Sequence, residues 1–270
     1  MLTFEALIGE AEKRGMPHAK LRGILREYLQ VLLLGELRLL PSAKVYQFTG
    51  GTYLRLVHHI HRFSDDLDFY AQALTTKAFA SDMHLLSKHL QQQGINQTVA
   101  CQERDRLHTA NFSFPDIEDA YGITKTSQRR NALRIKIECQ IPLWKLKPEV
   151  HLIEGFGLQF ALGCSQQAAL VADKIDALFH KDRARHIYDL LHLLGQNVSA
   201  DPKILKSYGH TLPPATLIRN AMQRFTTNDL KKMAEHFRPF LFQEQDTELI
   251  VHAPQLFEQV LLRNSAMYGA

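Results

Sequence analysis

At 270 residues the chain can bury one large core or two modest ones, and 45% hydrophobic with 22% charged residues is the ordinary composition of a soluble globular protein. A net charge of +4 permits a nucleotide or RNA partner without demanding one. The longest apolar run, Val31 to Leu34, is far too short to span a bilayer. Cys101, Cys139 and Cys164 are odd in number and lack C-x-x-C spacing, which argues against structural zinc and a disulfide framework. The N-terminus has early acidic residues and no small-residue cleavage site. Together these point to a reducing, cytoplasmic setting.

Leu2 to Leu40 carries helical periodicity. Phe4, Leu7, Ile8 and Ala11 form one stripe, and Pro17 is placed to start a second helix holding Leu21, Ile24, Leu25, Tyr28, Leu29 and Leu32. The expectation is a packing helix beside a sheet.

Gln47 to Tyr70, QFTGGTYLRLVHHIHRFSDDLDFY, is the informative stretch. It predicts a strand ending in Phe48, a Gly50-Gly51-Thr52 turn, a helix of about nine residues, a short loop and a second strand over Asp66-Leu67-Asp68-Phe69. Paired glycines let the backbone turn tightly and aim its N–H groups at a helix N-terminus, where phosphate binds readily. Alternation puts Asp66 and Asp68 on one face, and two adjacent carboxylates suit a hard Mg²⁺ that also holds substrate phosphates. Thr52 and Ser64 offer hydroxyls to the outer phosphates. Ser64 also fits as a local turn donor to Asp66, and Arg62 as a surface partner of Asp65. Each element alone is weak; in this order they point to nucleotidyl transfer. His58 and His61 are spaced i,i+3, but without a third ligand an exposed polar face is the expectation.

Thr75 to Gln93 predicts a helix stopped by Gly94, with strands over Gln97–Gln102 and His108–Phe114. Pro115 to Ser127 is loop-like, and Lys125, Arg129 and Arg130 form a basic cluster, either a solvated turn or an RNA or triphosphate contact. Asn131 to Gln140 alternates Leu133, Ile135, Ile137 and Cys139 with Arg134, Lys136, Glu138 and Gln140. As an antiparallel neighbour of the Asp66/Asp68 strand it would bring in Glu138 as a third carboxylate; otherwise Lys136 and Glu138 are its wet face. From Ser165, a plausible N-cap, the pattern is helical to the end. Lys174 and Asp189, taken alone, fit solvated helix faces.

The motif GGT-x-L-R followed by R-x-S-x-D-x-D-F, from Gly50 to Phe69, resembles the nucleotidyltransferase signature of the AbiEii/AbiGii toxin family of type IV toxin–antitoxin systems. The later run ADKIDALFHKDRARHIYDLL is similar to that family's lysine helix, basic turn and Y-D-L helix, and the likeness spans roughly Val45 to Leu194. The resemblance implies Asp66 and Asp68 as metal ligands, Lys174 as a phosphate contact and Asp189 as an active-site acid. It places Arg183 and Arg185 in the basic turn. One position departs: His186 stands where the family usually has an acid.

The expected fold is α/β, a nucleotidyltransferase-type mixed sheet with N-terminal helices over residues 1–160, followed by an all-helical lobe over 161–270. The active cleft is expected between them, with Asp66 and Asp68 on the sheet side and Lys174 and Asp189 on the helical side. The expected activity is transfer of an NMP from an NTP to an acceptor hydroxyl, with Mg²⁺ or Mn²⁺ as cofactor and tRNA as acceptor. The resemblance also implies a cognate antitoxin encoded nearby, without requiring a stable complex. Protein AMPylation and a degenerate nucleotide-binding module are the alternatives, the latter motivated by His186.

Overall fold

In the computed structural model, which describes residues 1–123, 132–263 and 268–269, the chain divides into two units, Met1–Cys164 and Ser165–Ala270. The boundary expected at residue 160 falls inside the last strand of the first unit.

The first unit is mixed α/β. Helix α1 (Phe4–Lys13) starts where the Thr3 hydroxyl accepts the Ala6 N–H. Pro17 does not open the next helix directly. It precedes a short 3₁₀ turn at His18–Lys20, and α2 (Leu21–Leu37) follows. This helix is buried on most sides and carries Glu27 and Gln30 into the interior. Glu27 is satisfied there by Arg14 and Arg55, at 3.2 and 3.0 Å.

After α2 come β1 (Gln47–Thr49), α3 (Gly50–Val57), β2 (Leu67–Tyr70) and α4 (Thr76–Gln92), the last capped by the Thr75 hydroxyl on Ala78 N–H. Strands β3 (Thr98–Arg104) and β4 (Leu107–Phe114) form a hairpin. A short helix α5 (Ile117–Ala120) then occupies part of the expected loop. Strand β5 (Leu133–Gln140) completes the alternating segment; Asn131 lies outside the described residues. Strands β6 (Glu149–Gly155) and β7 (Leu158–Cys164) form a second hairpin, absent from the expected elements.

All seven strands join one sheet in the order β3-β4-β5-β2-β1-β7-β6. The β2–β5 and β1–β7 pairs are parallel and the others antiparallel. Leu67, Phe69, Ile135, Ile137 and Cys139 are buried on one face of the central strands. Helix α2 packs against β5, β6 and β7, and α4 against β3 and β4. The residues that alternate with this core in β2 and β5 are therefore left on the opposite face.

The second unit is helical: α6 (Gln167–His180), α7 (Ala184–Gly195), α8 (Pro202–Ser207), α9 (Pro214–Met222), α10 (Thr227–Phe237), α11 (Thr247–Val251) and α12 (Ala253–Arg263). Leu170, Ile175 and Leu178 of α6 and Ile187, Leu190 and Leu194 of α7 are fully buried, and the two helices pack on each other. Ser165 does not cap α6. Gln166 holds that position and the buried Ser165 hydroxyl has no hydrogen-bond partner among the described residues. Asp201 caps α8 ahead of Pro202, and Thr226 with Asp229 forms a capping box on α10. Among the described residues, no helix is long and apolar enough to cross a membrane.

Candidate active site

The first group of site residues gathers at the start of α3. Gly50 has φ +77°, and a Cβ there would lie 2.7 Å from Asp68 Cβ. Only glycine meets both conditions, so the turn brings the backbone directly onto the Asp68 side chain. A Cβ at Gly51 would sit 2.7 Å from Arg62 Nη2 and 2.8 Å from Ser64 Oγ. Thr49, at the N-cap, makes no capping hydrogen bond, and its buried hydroxyl has no partner among the described residues. The leading N–H groups of α3 thus lack a side-chain cap, and an anion can satisfy them.

Thr52 was expected to offer its hydroxyl to phosphate, but the fold encloses it. It is 0% exposed, and the hydroxyl donates to the Asp66 carbonyl at 2.5 Å. Gln30 of α2 donates to the Ser64 carbonyl at 3.0 Å and to Thr52 Oγ1 at 3.5 Å. So α2 does more than pack: it ties down the loop that carries Ser64 to Asp66. Nothing in the local pattern marks Gln30, which reads as one polar position in an apolar helix.

Arg62 is a second correction. It is 2% exposed, donates to the Phe63 carbonyl at 2.9 Å and lies against Gly51, while Asp65 pairs with Arg26 instead. A guanidinium is buried only where hydrogen bonds hold it, so its place beside the turn is a built feature. The R-x-S spacing was its signal.

The sheet register assembles the carboxylates. Asp68 pairs with Thr49 of β1 on one side and with Glu138 of β5 on the other. Glu138 joins the Asp68 face as anticipated, but through a parallel pairing, not an antiparallel one. Lys136, two residues earlier on β5, places Nζ 2.8 Å from Glu138 Oε1 and 3.9 Å from Asp66 Oδ2. Burial disfavours its ammonium, but the Glu138 hydrogen bond and the Asp66, Glu138 and Asp68 charges outweigh this, and its pKa rises.

Among the described residues no three His, Cys, Asp or Glu side chains converge to hold a metal ion as they stand. The donor chemistry of Asp66, Asp68 and Glu138 nevertheless fits one: all are hard carboxylate oxygens, and Gly50 leaves the Asp68 carboxylate against the uncapped turn. His59 and His61 are exposed, whereas His58 meets the rings of Tyr53 and His151 edge-on, at 4.9 and 5.9 Å. Lys125, Arg129 and Arg130 lie outside the described residues.

The second group belongs wholly to the helical unit. Lys174 of α6 is 7% exposed and pairs through Nζ with Asp189 Oδ2 of α7 at 2.7 Å. Neither is the solvated surface residue that its local pattern allows. The neighbouring Tyr188 hydroxyl donates to Asp246 at 3.0 Å. His186 is 6% exposed, and neither ring nitrogen has a hydrogen-bond partner among the described residues. Burial, reinforced by the Lys174 charge and only partly opposed by Asp189, pushes its pKa down to about 2. His186 is therefore a neutral imidazole beside a buried ion pair.

A family model described as the nucleotidyl transferase AbiEii toxin of type IV toxin–antitoxin systems matches residues 32–261. No curated protein sequence matches. Two solved structures are similar in fold. JHP933 from Helicobacter pylori is 17% identical with a TM-score of 0.51, over 93% of this chain and 97% of that one. MenT4, a nucleotidyltransferase toxin from Mycobacterium tuberculosis, is 16% identical with a TM-score of 0.56, over 96% of this chain and 90% of that one.

Proposed function

Because the chain belongs to the AbiEii nucleotidyltransferase toxin family of type IV toxin–antitoxin systems, we propose that it transfers an NMP from an NTP to an acceptor hydroxyl of RNA, with the tRNA 3′ end as acceptor and Mg²⁺ or Mn²⁺ as cofactor. The observation that carries this reading is the register that sets Asp68 beside Glu138 and against Gly50, at the uncapped start of α3. The backbone N–H groups of Gly50, Gly51 and Thr52 and the Ser64 hydroxyl take the outer phosphates. Asp66, Asp68 and Glu138 hold the divalent ion. When bound, that ion supplies positive charge against the transferring phosphate.

The acceptor oxygen bonds to the α-phosphorus as the bond to the bridging oxygen breaks, and pyrophosphate leaves. A carboxylate of the Asp66/Asp68 pair takes the hydroxyl proton. Lys174 contacts the departing phosphates as a point charge, and Asp189 orients its ammonium through their 2.7 Å contact. A cognate antitoxin, implied by the family, is the regulatory partner.

The test combines purified protein, Mg²⁺, each α-³²P-labelled NTP in turn and total tRNA, with Asp66→Ala beside the wild type. Label entering tRNA with wild type alone is the expected result and also identifies the nucleotide. Label on protein alone would replace the acceptor, and no label with a folded sample would overturn the reading.

A further inference from the structure

The carboxylate face of the sheet carries its own cation. Asp66, Asp68 and Glu138 bring three negative charges, and Lys136 reaches two of the three. Its side chain is 36% exposed, so the ammonium can move outward into solvent without unpacking the strand. The arrangement has an electrostatic reason: carboxylates that share one sheet face repel one another, and an ammonium that contacts Glu138 and lies 3.9 Å from Asp66 relieves the repulsion. An ammonium and a hard divalent ion seek the same negative charge, and an ion coordinated by these carboxylates repels an ammonium a few ångströms away.

We propose that Lys136 is the protein's built-in counter-ion to these carboxylates, displaced from Glu138 when a divalent ion binds and then turned to the phosphates of the NTP. The inference rests on the metal-binding reading of Asp66, Asp68 and Glu138 given above. Metal alone must compete with an ammonium already in place. Metal arriving with a nucleotide offers that ammonium a new anionic partner, so the two ligands favour each other. Lys136 is thus a residue that couples metal binding to nucleotide binding.

The experiment measures Mn²⁺ affinity by calorimetry and by electron paramagnetic resonance, on the full chain, with and without a non-hydrolysable NTP analogue. Wild type is compared with Lys136→Met and with Lys136→Gln, the second serving if the first does not fold. The expected result is that the variants bind Mn²⁺ alone about tenfold more tightly, the scale of one removed competing charge. Their gain in Mn²⁺ affinity on adding nucleotide should be smaller than that of the wild type. In chelator the variants should unfold at a lower temperature than the wild type, and Mn²⁺ should raise their midpoint by more. Equal or weaker Mn²⁺ binding by the variants would overturn the role of Lys136 while leaving the metal site standing. Failure of wild type and variants alike to bind Mn²⁺, with or without nucleotide, would overturn both.

Discussion

At Gly50 two constraints coincide, a left-handed backbone and a side chain pressed against the α-carbon. Gly50→Ala meets both. The backbone term alone costs about 1–2 kcal/mol, and the new methyl must displace the Asp68 carboxylate. We expect near-complete loss of NMP transfer with a lowered but measurable unfolding midpoint; a fully active Gly50→Ala enzyme would show that the turn does not set Asp68. His186 gives a second expectation at this scale. Its pKa is about 2 in the folded chain, below the ordinary histidine value of 6.5. Between those values the unfolded chain takes up a proton that the folded chain refuses. Its contribution to stability is complete above pH 6.5 and drains as pH falls towards 2, by up to ~1.4 kcal/mol per pH unit. His186→Leu removes two orphaned buried nitrogens, so denaturant titrations should find it at least as stable at pH 7 and flatter between pH 6 and 4. An unchanged pH slope would sink this account.

At the scale of elements, α6 and α7 are held together by apolar packing with one buried ion pair inside it. Such a pair is weak evidence for stability, because desolvation cancels much of the Coulomb gain, but breaking it strands a charge. Asp189→Ala should therefore cost ~3–5 kcal/mol. The double variant Lys174→Met with Asp189→Leu should recover most of that stability while remaining inactive in the labelled-NTP assay. Recovery of activity with stability would mean that the pair only holds the helices together. The strands offer a related lesson. In the β6–β7 hairpin Val150 is 76% exposed and Leu152 53% exposed, so apolar residues stand on its open side and the in–out alternation that reveals a strand is blurred. Helix α5, with four residues, is too short to carry a period.

For the whole molecule, the sheet places together what the chain spaces apart. Asp68 and Glu138 are register partners across 70 residues of sequence, and β1 receives β2 on one side and β7 on the other. The ordering of a Gly-Gly turn, a helix and an acidic strand was readable because each part has a local cause: glycine torsions, period 3.6 and period 2. The α4 helix expected from Thr75 and the alternating β5 were readable for the same reason. The roles assigned to Lys174 and Asp189 came from resemblance, since nothing local separates a buried lysine from a solvated one.

By itself, then, the sequence determined the α/β class, the glycine turn against an acidic strand, and the shift to helices beyond the sheet. Only the tertiary structure decided that β5 joins β2 in parallel, that Arg62 and Gln30 lie inside beside the turn, that Thr52 spends its hydroxyl on Asp66, and that Lys136 shares the carboxylates. The physical reason is that alternation fixes which face a residue takes but not which strand lies next to it. A polar residue's partners are set by whatever long-range packing brings to that face.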